Sequence, residues 1–167
     1  MVDLLKEAIR MLDADESIEL YGFLRKNLKD TGTVKTYNMI GEFGERAVLN
    51  FYNSSPSLPN LRAVKIGTKI IDAVNDENGE RYSIKAKTSS KSNTGVFNGL
   101  NDIGSDLPQE QLFEYAVIVV LDEDMSPKTI YELDWDNFLS LKKWNKDKRT
   151  WYLPITKELK RKAKVYK

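Results

Sequence analysis

The stretch "RYSIKAKTSS", residues 81–90, reads as a β-strand whose two faces differ in kind. Side chains two apart share a face of a strand, so Tyr82, Ile84 and Ala86 point one way and Ser83, Lys85 and Lys87 the other. The first set suits a core. Two lysines in line on the second ask for a reason. Immediately upstream, "NDENGE" (residues 75–80) carries Asn78-Gly79, a strong hairpin signal. The strand-like "AVKIGTKIIDAV" (residues 63–74) precedes it, and the spacing predicts a β-hairpin over residues 63–88.

Working outward, "KSNTGVFNGLNDIGSDLP" (91–108) is rich in Gly, Asn and Ser and predicts a loop. "LFEYAVIVVLDED" (112–124) is the most apolar segment, and its β-branched content predicts a central strand buried on both faces. "TIYEL" (129–133) and "RTWYLPI" (149–155) read as further strands. Asp134 caps a short helix over 134–144, and Thr156 caps a terminal helix over 156–167. On the other side of the hairpin, apolar spacing predicts helices near 2–12, 16–29 and 34–53, the last stopped by "NSSPSLPN". Helices, a hairpin, a loop, a buried strand and mixed elements make an α/β chain. It is expected to be one domain over 1–167, with a helical extension (1–33), a core (34–133) and a C-terminal helix-strand-helix (134–167).

Composition narrows the chemistry. The 167 residues hold neither cysteine nor histidine, and the formal charge is +1. Disulfides, thiolate metal sites, cysteine nucleophiles and the Ser-His-Asp triad are excluded. Catalysis, if present, runs on carboxylates, lysines, hydroxyls and hard cations held by oxygen. The longest apolar run, Tyr115 to Leu121, is too short to cross a bilayer. The first residues show no signal-peptide pattern, so a cytoplasmic location is the expectation.

Asp72 is the conspicuous residue of the first hairpin strand, flanked by Ile70, Ile71, Ala73 and Val74. A carboxylate in such a run costs several kcal/mol unless it is paired or bound to a cation. Lys85, across the hairpin, is its expected partner, and a structural cross-strand ion pair explains the two equally well. The third helix adds "IGEFGERAVLNFY", with Gly41, Gly44 and Glu45 at its centre. Each helical glycine costs about 1 kcal/mol against alanine, and close approach to a sheet would account for it. Glu45 lies at the border of the inner stripe, whereas Glu42 points outward.

This order of residues resembles the PD-(D/E)xK, or restriction-endonuclease-like, nuclease superfamily. It is closest to small bacterial domains that read roughly GE…DA(I/V)…GkRyQIK. The matching residues are Gly41, Gly44, Glu45, Asp72, Ala73, Val74, Gly79, Arg81, Tyr82, Ile84 and Lys85. The resemblance covers residues 36–100 and extends towards 133 through the later strands. It implies a restriction-endonuclease-like core, a mixed central β-sheet flanked by helices. It also implies an endonuclease acting on DNA with Mg2+ or Mn2+, and it allows a homodimer. Asp72 and Glu45 would be metal ligands, the Ile84 carbonyl a third, and Lys85 would position or activate water. The departure is Ser83, where the family carries Glu, Asp or Gln. A serine is a poorer Mg2+ ligand and leaves the site one negative charge short. The alternative is therefore a weak or inactive domain on the same fold, binding nucleic acid or a protein partner.

Lys87, Thr88, Ser89 and Lys91 are the candidate phosphate contacts. A solvated strand lysine accounts for Lys87 more readily than a catalytic role, and a plain loop accounts for the rest. The basic tail "KELKRKAKVYK" suits a backbone-binding helix and a solvated one equally. Trp135, Trp144 and Trp151 are expected to pack rather than stack on bases, and Asp122, Glu123 and Asp124 to form a charged turn.

Overall fold

The computed structural model describes residues 1–34, 38–65, 68, 70–88 and 94–166. The chain divides into two compact units, Met1–Glu42 and Phe43–Lys167. The first holds α1 (Val2–Ile9) and α2 (Ala14–Asp30). Helix α2 opens on a capping box: Asp13 Oδ1 accepts from the Glu16 backbone N–H at 2.9 Å, and the Glu16 carboxylate accepts from Asp13 N–H at 3.0 Å. Neither helix buries any of its residues.

The second unit is α/β. Helix α3 (Met39–Ser54) runs into it and is followed by β1 (Leu61–Ala63), β2 (Ala73–Asn75) and β3 (Arg81–Lys87). Then come β4 (Tyr115–Leu121), β5 (Pro127–Asp134), α4 (Trp135–Leu141), β6 (Lys143–Asn145), β7 (Thr150–Tyr152), α5 (Lys157–Lys162) and β8 (Lys164–Tyr166). The main sheet has the order β1-β2-β3-β4-β5-β8, and β6 pairs with β7 in a second, two-stranded sheet. All pairs of the main sheet are antiparallel except β3 with β4, which run parallel. The connection between those two is the predicted loop. Its described part from Thr94 onward holds one isolated bridge, Phe97 with Trp151.

The central strand is where the sequence placed it. In β4, Ala116 through Leu121 are all buried, because both faces are covered. Ala116, Ile118 and Val120 join a core with Phe97, Phe113, Trp135, Phe138 and Leu159. Helix α3 covers the opposite face at Gly44, where an added Cβ would lie 2.1 Å from Ala86 Cβ and 2.9 Å from Val119 Cγ1. Its Tyr52 and the Tyr82 ring meet edge to face at 5.9 Å. The Tyr52 hydroxyl donates to buried Glu132, whose Oε1 lies 3.1 Å from Lys164 Nζ. Burial, then that carboxylate, push the Tyr52 phenol far above its usual range.

Several expectations need correction. "AVKIGTKIIDAV" is not one strand: β1 and β2 are short and pair with each other, Ala63 opposite Ala73. The terminal helix stops at Lys162, and the last described residues form β8 against β5, with Tyr131 opposite Val165. Lys143 and Trp144, expected to end a helix, belong instead to β6. The Asn78-Gly79 turn, the Asp134 and Thr156 caps and the charged turn at Asp122 are as expected. Gly79 has φ +76°, and Asp122 Oδ1 accepts from Asp124 and Ser126 N–H groups at 2.9 Å. Asp134 caps Asn137 at 2.8 Å and Thr156 caps Leu159 at 3.1 Å. The tryptophans pack: Trp135 lies in the core, and Trp144 and Trp151 meet edge to face at 5.0 Å.

Candidate active site

The site arises because β2 is shorter than its neighbour. Its pairing with β3 covers only Ala73 with Tyr82 and Val74 with Arg81, while β3 continues to Lys87. Backbone groups of β3 beyond that point need other partners, since a buried, unpaired N–H or C=O is costly. Asp72, at the mouth of β2, supplies one. Its Oδ2 accepts from the Ile84 N–H at 2.6 Å. Lys85 supplies the other, its Nζ donating to the Ile84 carbonyl at 3.1 Å and to Asp72 Oδ2 at 3.4 Å.

Asp72, Ile84 and Lys85 are thus brought together at the open edge of β3. The ion pair is sheltered, with 22 % of the Lys85 side chain and 19 % of the Asp72 side chain exposed. The loop after β3 contributes the cover. Lys85 Nζ lies 5.5 Å from the centre of the Phe97 ring, and a Cβ on Gly95 would touch Lys85 Cδ at 3.5 Å. Nothing in the sequence marked Phe97 for this position, because a loop's path is set by what it packs on.

The remaining candidates are less convergent. Glu45 is half-buried on α3, next to Gly44, and that helix lies over the Ala86 face of β3, opposite to Lys85. Ser83 lies on the Lys85 face but is only 1 % exposed, level with Ala116 of β4. An acidic side chain there would have to be buried beside the core. That gives serine a packing reason at this position. Lys87, expected in solvent, is 5 % exposed, and among the described residues its Nζ has no hydrogen-bond partner. Burial holds its pKa below the ordinary lysine value. Thr88 is exposed, and Ser89 and Lys91 lie outside the described residues.

The chemistry available is that of hard oxygen donors beside an ammonium group. Among the described residues, no hydrogen bond reaches Asp72 Oδ1, and no group of three or more acidic side chains gathers at one point. A site with one or two carboxylates and retained water is what Mg2+ accepts. Asp72 with the Ile84 carbonyl fits that description at its lower limit. The start of β3 is held in place independently. Arg81 Nη2 and Glu114 Oε1 are 2.8 Å apart, and this hydrogen-bonded pairing keeps the Glu114 carboxyl below its usual range. No helix among the described residues is long and apolar enough to cross a membrane. Compared with known proteins, the chain matches no family model and no curated protein.

Proposed function

We propose that this protein is a metal-dependent phosphodiesterase, acting on DNA through the Asp72–Lys85 edge of β3. The observation that carries the reading is the convergence of Asp72 Oδ2, at 3.4 Å, and the Ile84 carbonyl, at 3.1 Å, on Lys85 Nζ. A parallel β3–β4 pair inside an otherwise antiparallel sheet supports the restriction-endonuclease-like core that the sequence resembles. Asp72 and the Ile84 carbonyl would hold Mg2+ or Mn2+. When bound, the ion would offset phosphate charge and acidify a water. Lys85, already oriented by two oxygen acceptors, would position the attacking water and steady negative charge on the phosphate.

The test is plasmid cleavage by the purified protein in Mg2+ or Mn2+, beside Asp72→Ala. Cleavage by the wild type and its loss in the variant is the expected result. Equal, negligible cleavage by both would sink the reading. A second reading, a binding domain without hydrolysis, is favoured by Ser83, which is buried where a third carboxylate would stand. It requires thermal stability to be unchanged by Mn2+, whereas an occupied site gains stability as the ion saturates it.

A further inference from the structure

The charge of the chain is unevenly spread. From Lys142 to Lys167 the sequence holds eleven lysines and arginines against two acids, Asp147 and Glu158. The 141 residues before them hold fifteen against twenty-three acids. A near-neutral total thus conceals a strongly basic end, and a polyanion responds to where charge sits rather than to its sum. Part of that charge lies on the β6–β7 hairpin, where Lys143, Lys146, Lys148 and Arg149 are all exposed around a single acid, Asp147. Among the described residues, only Arg149 of these four meets a carboxylate, that of Asp102 at 3.7 Å. Lys142 is engaged otherwise, its Nζ 3.2 Å from the centre of the Trp151 ring.

Hydrogen bonds tie this hairpin to the Asp72–Lys85 site. Phe97, whose ring covers Lys85, donates its backbone N–H to the Trp151 carbonyl at 2.9 Å. The Thr94 N–H donates to the Leu153 carbonyl at 3.2 Å, and Thr94 Oγ1 accepts from the Leu153 N–H at 2.9 Å. The Trp151 indole N–H reaches the Asn101 carbonyl at 2.8 Å. Strand β7 therefore runs one strand spacing, about 5 Å, from the Phe97 segment, and β6 lies one spacing further out. A DNA strand carries a phosphate every ~3.4 Å along the helix axis. A strand with one phosphate at Lys85 thus brings its next few within range of lysines on long, flexible stems. Such contacts fix the position of the duplex and carry no sequence information.

We propose that the β6–β7 hairpin grips the DNA backbone beside the Asp72–Lys85 site, with Lys143, Lys146 and Lys148 neutralising phosphates of flanking nucleotides. The inference rests on the reading of that site as one for DNA. Fluorescence anisotropy of a short labelled duplex, titrated with the full chain in EDTA at several salt concentrations, tests it. In Lys143→Gln/Lys146→Gln/Lys148→Gln the slope of log affinity against log salt should fall by about 2–3, and affinity at low salt about tenfold, equally for two unrelated sequences. Circular dichroism is the folding control. A charge-matched variant at exposed lysines of the first unit, Lys6→Gln/Lys26→Gln/Lys29→Gln, should keep the wild-type slope. A wild type that binds no duplex would overturn the proposal. So would a wild-type slope in the hairpin variant, or equal losses in the two variants. Hairpin-dependent binding without plasmid cleavage removes the hydrolytic reading and leaves the hairpin's role standing. Cleavage whose KM and salt dependence ignore the hairpin variant does the reverse.

Discussion

The two faces of β3 follow different rules although they alternate residue by residue. The Tyr82, Ile84 and Ala86 face is closed under α3, so tightly that Gly44 has no room for a methyl group. The Ser83, Lys85 and Lys87 face grades from a buried hydroxyl, through a sheltered ion pair, to a buried amine with no partner among the described residues. Packing alone specifies the closed face. The open face spends stability on polar groups that packing does not need, and such local conflict is what functional sites show. The sharpest contrast is between Lys85 and Lys87. They share a strand face, yet one has two oxygen acceptors and the other none among the described residues.

The closed face should break most easily. Gly44→Ala improves helix propensity by about 1 kcal/mol, but its methyl would meet Ala86 Cβ at 2.1 Å, which no rotamer relieves. Overpacking of this kind costs about 1–3 kcal/mol and should win, lowering Tm by several degrees in a scan. Ala86→Gly removes the obstructing atom. If the double variant fails to recover part of the loss, the contact is not what excludes a side chain at Gly44.

The open face makes the opposite prediction. Lys87→Met keeps the length of the side chain and removes a buried, unpaired donor, so it should stabilise the fold by about 1–2 kcal/mol at neutral pH. The pH dependence carries a definite sign. Burial lowers the folded pKa of Lys87 below the 10.5 of the unfolded chain. Below the folded value both states are protonated and the burial cost is fully present. As pH rises through the window up to 10.5, the folded wild type sheds its proton first and gains stability. The advantage of Lys87→Met should therefore shrink across that window. Denaturant melts at neutral and alkaline pH would show it. An advantage that stays constant would mean the amine is hydrated or paired in solution.

How far the sequence carried the reading follows the same division. Period-two alternation located β3 and its two faces, and the apolar run located β4, because both signals are local. Asp72 stood out because a carboxylate between isoleucines and alanine needs a partner, and Lys85 was the partner found. The early end of β2 was not legible. Strand pairing depends on where the chain turns away, and "AVKIGTKIIDAV" looks equally β-prone throughout. Burial of Lys87 was also hidden, since its cover comes from the fold and not from its neighbours in sequence. The tail misled for a related reason: "KELKRKAKVYK" has good helix formers, but pairing with the edge of β5 claims its last residues.

A second helical glycine makes the comparison quantitative. Gly22 sits mid-way along α2, and a Cβ built on it would meet nothing within 4 Å. Gly44 is required by its surroundings; Gly22 is not. Gly22→Ala should then return only the intrinsic propensity term, about 0.5–1 kcal/mol of helix stability. Amide hydrogen exchange along α2 should slow by a few-fold while β3 and β4 are unchanged. The same substitution thus stabilises at Gly22 and destabilises at Gly44. If both variants moved in the same direction, helix propensity and not the approach of α3 to Ala86 would govern the closed face of β3.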